Sequence, residues 1–288
     1  GAGKMSKAYD ILKEGYFFDY DKQVVRSKIG DNYLPFQSME NKALFARLED
    51  FSREDIAFAA QKILEEVLIA FLMKHLDGLK EGSINICLSG GCFANVKLNH
   101  EIFSLPATKN IYVFPQMGDG GNALGGALNV AVSKTSKTHF DLPTVYLGPE
   151  YSDDQILVEL EKNNLKFKKI NPKNKSVVAS EQIAKGEIVG WFQGKSESGN
   201  RALGNRSILA DPRNPNIKDI INNKIKLRED FRPFAPSVLH EHYTEYFDTN
   251  QPSPFMSRIM PVKSGAIPGV THVDGTARIQ TVQREFNT

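Results

Sequence analysis

Cysteine is scarce: only Cys87 and Cys92 occur in 288 residues. They stand on either side of a glycine pair, which gives neither a disulfide framework nor a metal-binding spacing and fits a reducing compartment. Long apolar runs are missing as well. The most apolar stretch, VLIAFLM (Val67–Met73), has 7 residues with charges on both sides, too short to cross a bilayer. No signal peptide opens the chain, so the expectation is a cytoplasmic protein with no membrane partner. No charge sign dominates: 36 Lys and Arg face 34 Asp and Glu, for a net charge of +2. No global field draws the chain to nucleic acid, and any anion site must be local. Repeats and low-complexity tracts are also lacking. What remains is 41% hydrophobic and 24% charged, ordinary globular composition. The length suggests two domains with enough core to need no covalent staples.

The pattern predicts α/β architecture. Ser52 stands three residues before Asp55, as in a capping box. Apolar residues then recur at helical spacing (Ile56, Ala60, Ile63, Leu64, Val67, Phe71) and predict a long amphipathic helix. INICL (Ile84–Leu88) reads as a buried strand. It is followed by the turn SGG, a helix near FANVKLNHEIF, and a second strand, NIYVF (Asn110–Phe114). Strand, glycine turn and helix in alternation is the α/β signature. The polar stretch Ser133–Pro143 marks the expected domain seam. Beyond it the expectation is a strand at TVYLG, a helix over SDDQILVELEKNN, a strand at LKFKKI, a helix ending near Gly186 and a strand at EIVGWF. From Gln193 onward the chain is loop-like and dense in motifs.

Two glycine turns follow strands. In LSGGCFANVKLN, Gly90 and Gly91 let a ligand approach the backbone, and Ser89 and Asn95 offer hydrogen bonds; the alternative is a tight connection without a ligand. MGDGGNALGGA carries Gly118, Gly120 and Gly121 around one carboxylate, Asp119. Strand ends are where α/β folds place ligands, and Asp119 suits a metal or a nucleotide ribose. The plainer reading is a turn aspartate capping the next helix.

Cations concentrate in three motifs. GWFQGKSESGNRALGNRSILADPR carries Lys195, Arg201 and Arg206. NNKIKLREDFRPFAPSVL carries Lys226, Arg228 and Arg232. THVDGTARIQTV carries His272, Asp274 and Arg278. The planar fork of arginine matches phosphate and carboxylate oxygens. Arginine interleaved with Gly, Pro and Phe is unlike a solvated face, so these motifs are expected to form one pocket for a ligand that carries phosphate.

These stretches, with IPGV preceding the last, resemble the C-terminal, YrdC-like domain of the O-carbamoyltransferases, the NodU-type nodulation and antibiotic-biosynthesis enzymes. ICLSGGCFANVKLN and MGDGGNALGGA resemble the second half of that family's N-terminal domain, which has the actin/hexokinase-like ATPase fold. The resemblance implies a first domain over 1–140 and a second, truncated one over 141–288. Against the family's approximate signature G-R-x-E-F-G-P-R-A-L-G, this chain has Lys195, Ser198 and Asn200 at the Arg, Phe and Pro positions. The family's His-x-x-x-His metal pair has no counterpart, since no two histidines here stand four apart. The family also continues beyond TVQREFN, so the resemblance implies a fragment of a longer enzyme.

The chemistry implied is formation of carbamoyl adenylate from carbamoyl phosphate and ATP with Mg²⁺, then transfer to the hydroxyl of a small-molecule acceptor. Lys195, Arg201, Arg206, Lys226, Arg228, Arg232 and Arg278 would bind phosphates, and Arg201, Lys226, Arg232 and Arg278 would also stabilise developing oxyanions. His272 would donate to a phosphate or carbamoyl oxygen, and Asp274 would orient it or a Mg²⁺ ion. Ser89, Gly90, Gly91, Asn95, Gly118, Gly120 and Gly121 would hold the nucleotide. Asp119 would hold a divalent metal (iron, with zinc or manganese as alternatives) in the intact enzyme. The alternative is a non-catalytic nucleotide- or RNA-binding module, against which the near-neutral charge weighs. An oligomer is compatible with either.

Overall fold

The computed structural model describes residues 3–27, 42–137, 139–263 and 265–286. Helices and short strands alternate, and the chain divides into two compact units. One comprises Gly1–Ile86 with Lys97–Ile111; the other comprises Cys87–Val96 with Tyr112–Thr288.

The first unit is built on α1 (Lys7–Gly15), β1 (Tyr16–Asp19), β2 (Val24–Ser27), α2 (Lys42–Leu48) and α3 (Arg53–Leu76). Ser52 caps α3 by accepting the Asp55 N–H at 3.1 Å. The Asp55 carboxylate accepts the Lys4 N–H (2.9 Å). Ala59 and Ile63 of α3 pack with Ala8, Leu12 and Leu48, each larger side chain contributing about 1.5–3 kcal/mol on burial. Helix α3 is less one-sided than its apolar spacing predicts. Glu65 is among its buried residues and pairs with Lys97 at 3.3 Å.

β3 (Ile84–Leu88) and β4 (Thr108–Val113) pair in a two-stranded sheet, and α4 (Val96–Phe103) connects them. The Ile84 N–H bonds to the Ala107 carbonyl, and the Phe114 N–H to the Leu88 carbonyl. Residue numbers rise together in both strands, as a β-α-β crossover requires.

In the second unit follow α5 (Gly121–Lys134), α6 (Asp153–Lys162), α7 (Lys175–Ala184) and the antiparallel pair β5 (Val189–Phe192) and β6 (Arg206–Leu209). Then come α8 (Ile217–Ile221), a π-helical turn at Asn222–Lys226, β7 (Ser237–Leu239), α9 (Tyr243–Tyr246), β8 (Met260–Pro261), β9 (Thr276–Ala277) and β10 (Gln280–Val282). β7 and β10 are parallel neighbours, with Gln280 opposite Ser237. Phe247, Met260, Ile267, Val270, Ala277 and Ile279 form the core there.

Two expected strands are absent. TVYLG lies along the loop after β5 rather than beside a strand: Ser198 N–H bonds to the Val145 carbonyl (2.6 Å) and Gly148 N–H to the Ser196 carbonyl (2.9 Å). LKFKKI has no strand neighbour, and its apolar residues Leu165, Phe167 and Ile170 stay exposed. An alternating segment without a partner leaves its backbone groups to water. Of the expected seam, Ser133 and Lys134 belong to the end of α5, and Thr138 lies outside the described residues.

Candidate functional site

Three loops of the second unit interlock. The turn after β3 joins the segment after β4 through the Gly90 N–H, which bonds to the Met117 carbonyl at 2.7 Å. The loop between β5 and β6 reaches the same segment, Ser198 Oγ donating to Gln116 Oε1 (3.0 Å). Gly199 has φ +115°, and a Cβ there would lie 3.0 Å from the Pro115 carbonyl oxygen. Arg201 Nη2 donates to the Ala94 carbonyl at 3.1 Å. The first glycine turn and the first cation motif are therefore brought together.

Glu197, a residue the motif reading passed over, organises that loop. Its Oε1 accepts the backbone N–H of Leu203 (2.7 Å), Asn205 (2.8 Å) and Arg206 (3.2 Å). Burial pushes its pKa up, but these donors outweigh burial and hold the carboxyl below its ordinary value. The available signal was its place between glycines in GKSESGNRALG, where a carboxylate can gather amides as a side-chain turn does.

The second cation motif leaves α8 through the π-helical turn. Asn222, fully buried, donates to the Arg232 carbonyl (2.9 Å), and its Oδ1 accepts Arg228 Nε (2.7 Å). Leu227 ends the turn in the left-handed region, φ +47°, a conformation costly for a leucine. Arg228 is thereby aimed, and its guanidinium also stacks 4.9 Å from the Phe234 ring centroid. In the third motif, Ala277 and Ile279 are completely buried and anchor Arg278 between them.

Arg278 is the most perturbed of these cations. Burial lowers its pKa first, and the charges of Arg201 and Arg228 lower it further, to about 10. Burial alone lowers that of Arg201. Among the described residues none of these three arginines makes a salt bridge. Nε of Arg201 and Nε of Arg278 are buried without a hydrogen-bond partner among the described residues. Guanidinium keeps its proton at any ordinary pH, so the cost of desolvation and mutual repulsion stays in the fold until an anion offsets it.

Other expected ligands stand apart. Arg206 spends its fork on the chain itself: Nη1 donates to the Gln193 (2.6 Å) and Asn205 (2.8 Å) carbonyls, and Nη2 to Gly194 (3.0 Å) and Pro149 (3.3 Å). It also lies 3.6 Å over the Phe192 ring. Arg232 is exposed and paired with Glu229 at 2.8 Å, and Lys226 is exposed at the end of the π-helical turn. Lys195 lines a separate recess with Tyr146, Lys175, Gln193 and Asn205. The charges that act on Arg278 are those of Arg201 and Arg228.

His272 and Asp274 flank a tight turn and communicate through Thr276. Thr276 Oγ1 donates to Asp274 Oδ1 (2.7 Å), and His272 Nδ1 lies 3.1 Å from the same hydroxyl. Burial lowers the His272 pKa; Asp274 opposes this and Arg278 adds to it.

Ser89, Gly90 and Gly91 are exposed, and Asn95 is half-buried. Gly121 is demanded by packing, since a Cβ would meet the Gln116 carbonyl oxygen at 2.3 Å, whereas Gly118 has open space. Asp119 is exposed; its backbone carbonyl accepts the Asn122 N–H (3.0 Å), and no side chain caps α5. Among the described residues no three His, Cys, Asp or Glu side chains gather as a metal-holding group. Asp119 offers one carboxylate where a metal centre takes about three protein ligands, and no step is assigned to a metal. Both cysteines are free and exposed. No described helix is long and apolar enough to cross a membrane.

Comparison with known proteins agrees with the motifs. Residues 4–128 match the family description "Carbamoyltransferase N-terminus", and residues 180–288 match "Carbamoyltransferase C-terminus". The nodulation protein NolNO of Sinorhizobium fredii is 40% identical over 293 residues, covering 97% of this chain and 41% of that protein. NolO of Bradyrhizobium diazoefficiens is 40% identical over 244 residues, 81% of this chain and 44% of the relative. An uncharacterized protein of Methanocaldococcus jannaschii is 36% identical over 289 residues, 97% of this chain and 46% of the relative. The chain spans less than half the length of each of these three relatives. With N-terminal and C-terminal matches in the expected order and motifs that resemble the same enzymes, the chain belongs to the carbamoyltransferase family.

Proposed function

We propose that this chain carries the phosphate-handling part of an ATP- and carbamoyl phosphate-dependent O-carbamoyltransferase. Residues 1–140 would be the second half of an actin-like ATPase-fold domain and 141–288 a YrdC-like domain. The observation that carries the reading is the cluster in which the charges of Arg201 and Arg228 reach Arg278, with Arg201 and Arg278 desolvated and none of the three in a salt bridge among the described residues.

In the reaction proposed, carbamoyl phosphate and ATP yield carbamoyl adenylate, pyrophosphate and phosphate, with one water consumed. The three arginines neutralise the phosphates and hold the reacting oxygens close, which is catalysis by positioning and electrostatics. The nucleotide lies along Ser89–Gly91, Asn95 and Gly118–Gly121. Mg²⁺ travels with ATP as part of the substrate. The adenylate then passes to the hydroxyl of a small-molecule acceptor.

The test is pyrophosphate release from ATP by the 288-residue chain. Release that requires carbamoyl phosphate and is abolished by Arg278→Ala supports the reading. RNA binding that falls steeply with salt, with no pyrophosphate release, assigns the cluster to a binding module instead.

A further inference from the structure

The turn His272–Thr276 contains a hydrogen-bond chain whose direction is fixed by proton count. At neutral pH the Asp274 carboxyl is ionised and only accepts, and both the Thr276 hydroxyl (2.7 Å) and the Thr276 N–H (3.1 Å) donate to its Oδ1. The single hydroxyl proton of Thr276 therefore goes to Asp274 at 2.7 Å. The Thr276 oxygen, 3.1 Å from His272 Nδ1, is left to accept, so Nδ1 carries the proton of the neutral ring. Nε2 is then a bare lone pair. It is buried and has no hydrogen-bond partner among the described residues, and it lies close enough to Arg278 for that cation to act on the ring. This reverses the donor role expected for His272: neutral, it accepts at Nε2.

A lone acceptor beside a phosphate-seeking cation is unsuited to phosphate oxygens, which are themselves acceptors. It suits a ligand that carries an N–H next to its phosphate. Resting on carbamoyl phosphate being the ligand, we propose that His272 Nε2 accepts a hydrogen bond from the carbamoyl –NH₂ and makes the site select carbamoyl over acetyl phosphate, with Thr276 as the positioning residue that sets the tautomer. Acetyl phosphate has the same shape with a methyl in place of the amide, and would leave Nε2 buried and unpaired. Sites built to hydrogen-bond a substrate group reject the analogue lacking it far better than apolar pockets reject an added group.

The experiment is calorimetric binding of freshly dissolved carbamoyl phosphate, acetyl phosphate and inorganic phosphate to the 288-residue chain. Carbamoyl phosphate is expected to bind at least about tenfold more tightly than acetyl phosphate, the worth of one well-made hydrogen bond. His272→Phe keeps a planar ring but removes the acceptor, and the ratio should fall towards one. Thr276→Val should shrink the ratio and Thr276→Ser restore it, a rescue that a merely structural hydroxyl would not give. In ¹⁵N NMR of the histidine ring, wild type should show protonated Nδ1, and Thr276→Val a mixture of tautomers. A protonated Nε2 in wild type overturns the proposal whatever the variants do. A wild-type ratio near one, with inorganic phosphate still bound, overturns the selectivity alone and leaves the anion pocket standing. Failure of all three phosphates to bind removes the pocket and the proposal together.

Discussion

Arg201, in the loop before β6, and Arg206, the first residue of β6, stand five residues apart, yet the structure uses them in opposite ways. Arg206 donates to four backbone carbonyls and covers an aromatic ring. Among the described residues Arg201 makes one hydrogen bond, to Ala94, and leaves Nε buried and unpaired within range of Arg278. The same side chain is a tie in the first place and an unoffset charge in the second. A cation whose hydrogen bonds are already made supports the fold, whereas one that is desolvated and unpaired marks a place where a ligand completes the structure.

The largest effect that would sharpen this contrast is on ligand binding. Arg201→Lys and Arg278→Lys keep the charge but lose the fork. Each should weaken carbamoyl phosphate binding by about 10- to 150-fold, the equivalent of a charge-assisted hydrogen bond of about 1.5–3 kcal/mol. Arg278→Met should also raise the melting temperature of the free chain, because it relieves repulsion, while abolishing the rise that phosphate gives wild type by mass action. Arg232→Ala, at an exposed pair, should change neither quantity measurably. Loss of melting temperature in ligand-free Arg278→Met would mean that the cluster is structural and that the comparison fails.

A smaller effect is expected at the other pole. Arg206→Ala should destabilise the chain by about 1–3 kcal/mol in urea denaturation, through carbonyls left without donors. Phosphate affinity, measured well below the unfolding transition, should stay near wild type. A loss of affinity as large as that of Arg201→Lys would place Arg206 in the anion site after all.

The smallest effect is that of the loop's acid. Glu197 has a folded pKa below its ordinary value. Its contribution is therefore present above the unfolded pKa of about 4.3 and is lost as pH falls through the lower folded value. Glu197→Gln should be less stable than wild type at pH 7, and the gap should close on acidification. A gap independent of pH would show that the three amides do not depend on the carboxylate charge.

Much of this was legible in the chain. Ile84–Leu88 was readable as a strand from its apolar run and the glycines behind it, and Ser52 announced the start of α3. The three cation motifs stood out because arginine among glycines and prolines is uncommon on a solvated face. Which arginines converge was not legible. Arg228 is selected by the buried Asn222 six residues earlier, and Arg232 is diverted by a glutamate three residues away. The Glu229–Arg232 pair is local, but nothing in local pattern shows that Asn222 is buried and bonded to Arg228. The strands expected at TVYLG and LKFKKI failed for a related reason: a strand needs a neighbour, and no periodicity within one segment says whether a neighbour exists.

What the sequence determined by itself is the local grammar: helix starts, short apolar strands, glycine turns and the identity of the charged side chains. These depend on propensity and spacing within about ten residues, the range over which capping and periodicity act. Only the tertiary structure decided that the charges of Arg201 and Arg228 reach the buried Arg278 while Arg206 is spent on backbone carbonyls. Charge–charge repulsion, desolvation and hydrogen-bond direction depend on distances between segments far apart in the chain, and those distances exist only once the core of Phe247, Met260, Ala277 and Ile279 has formed.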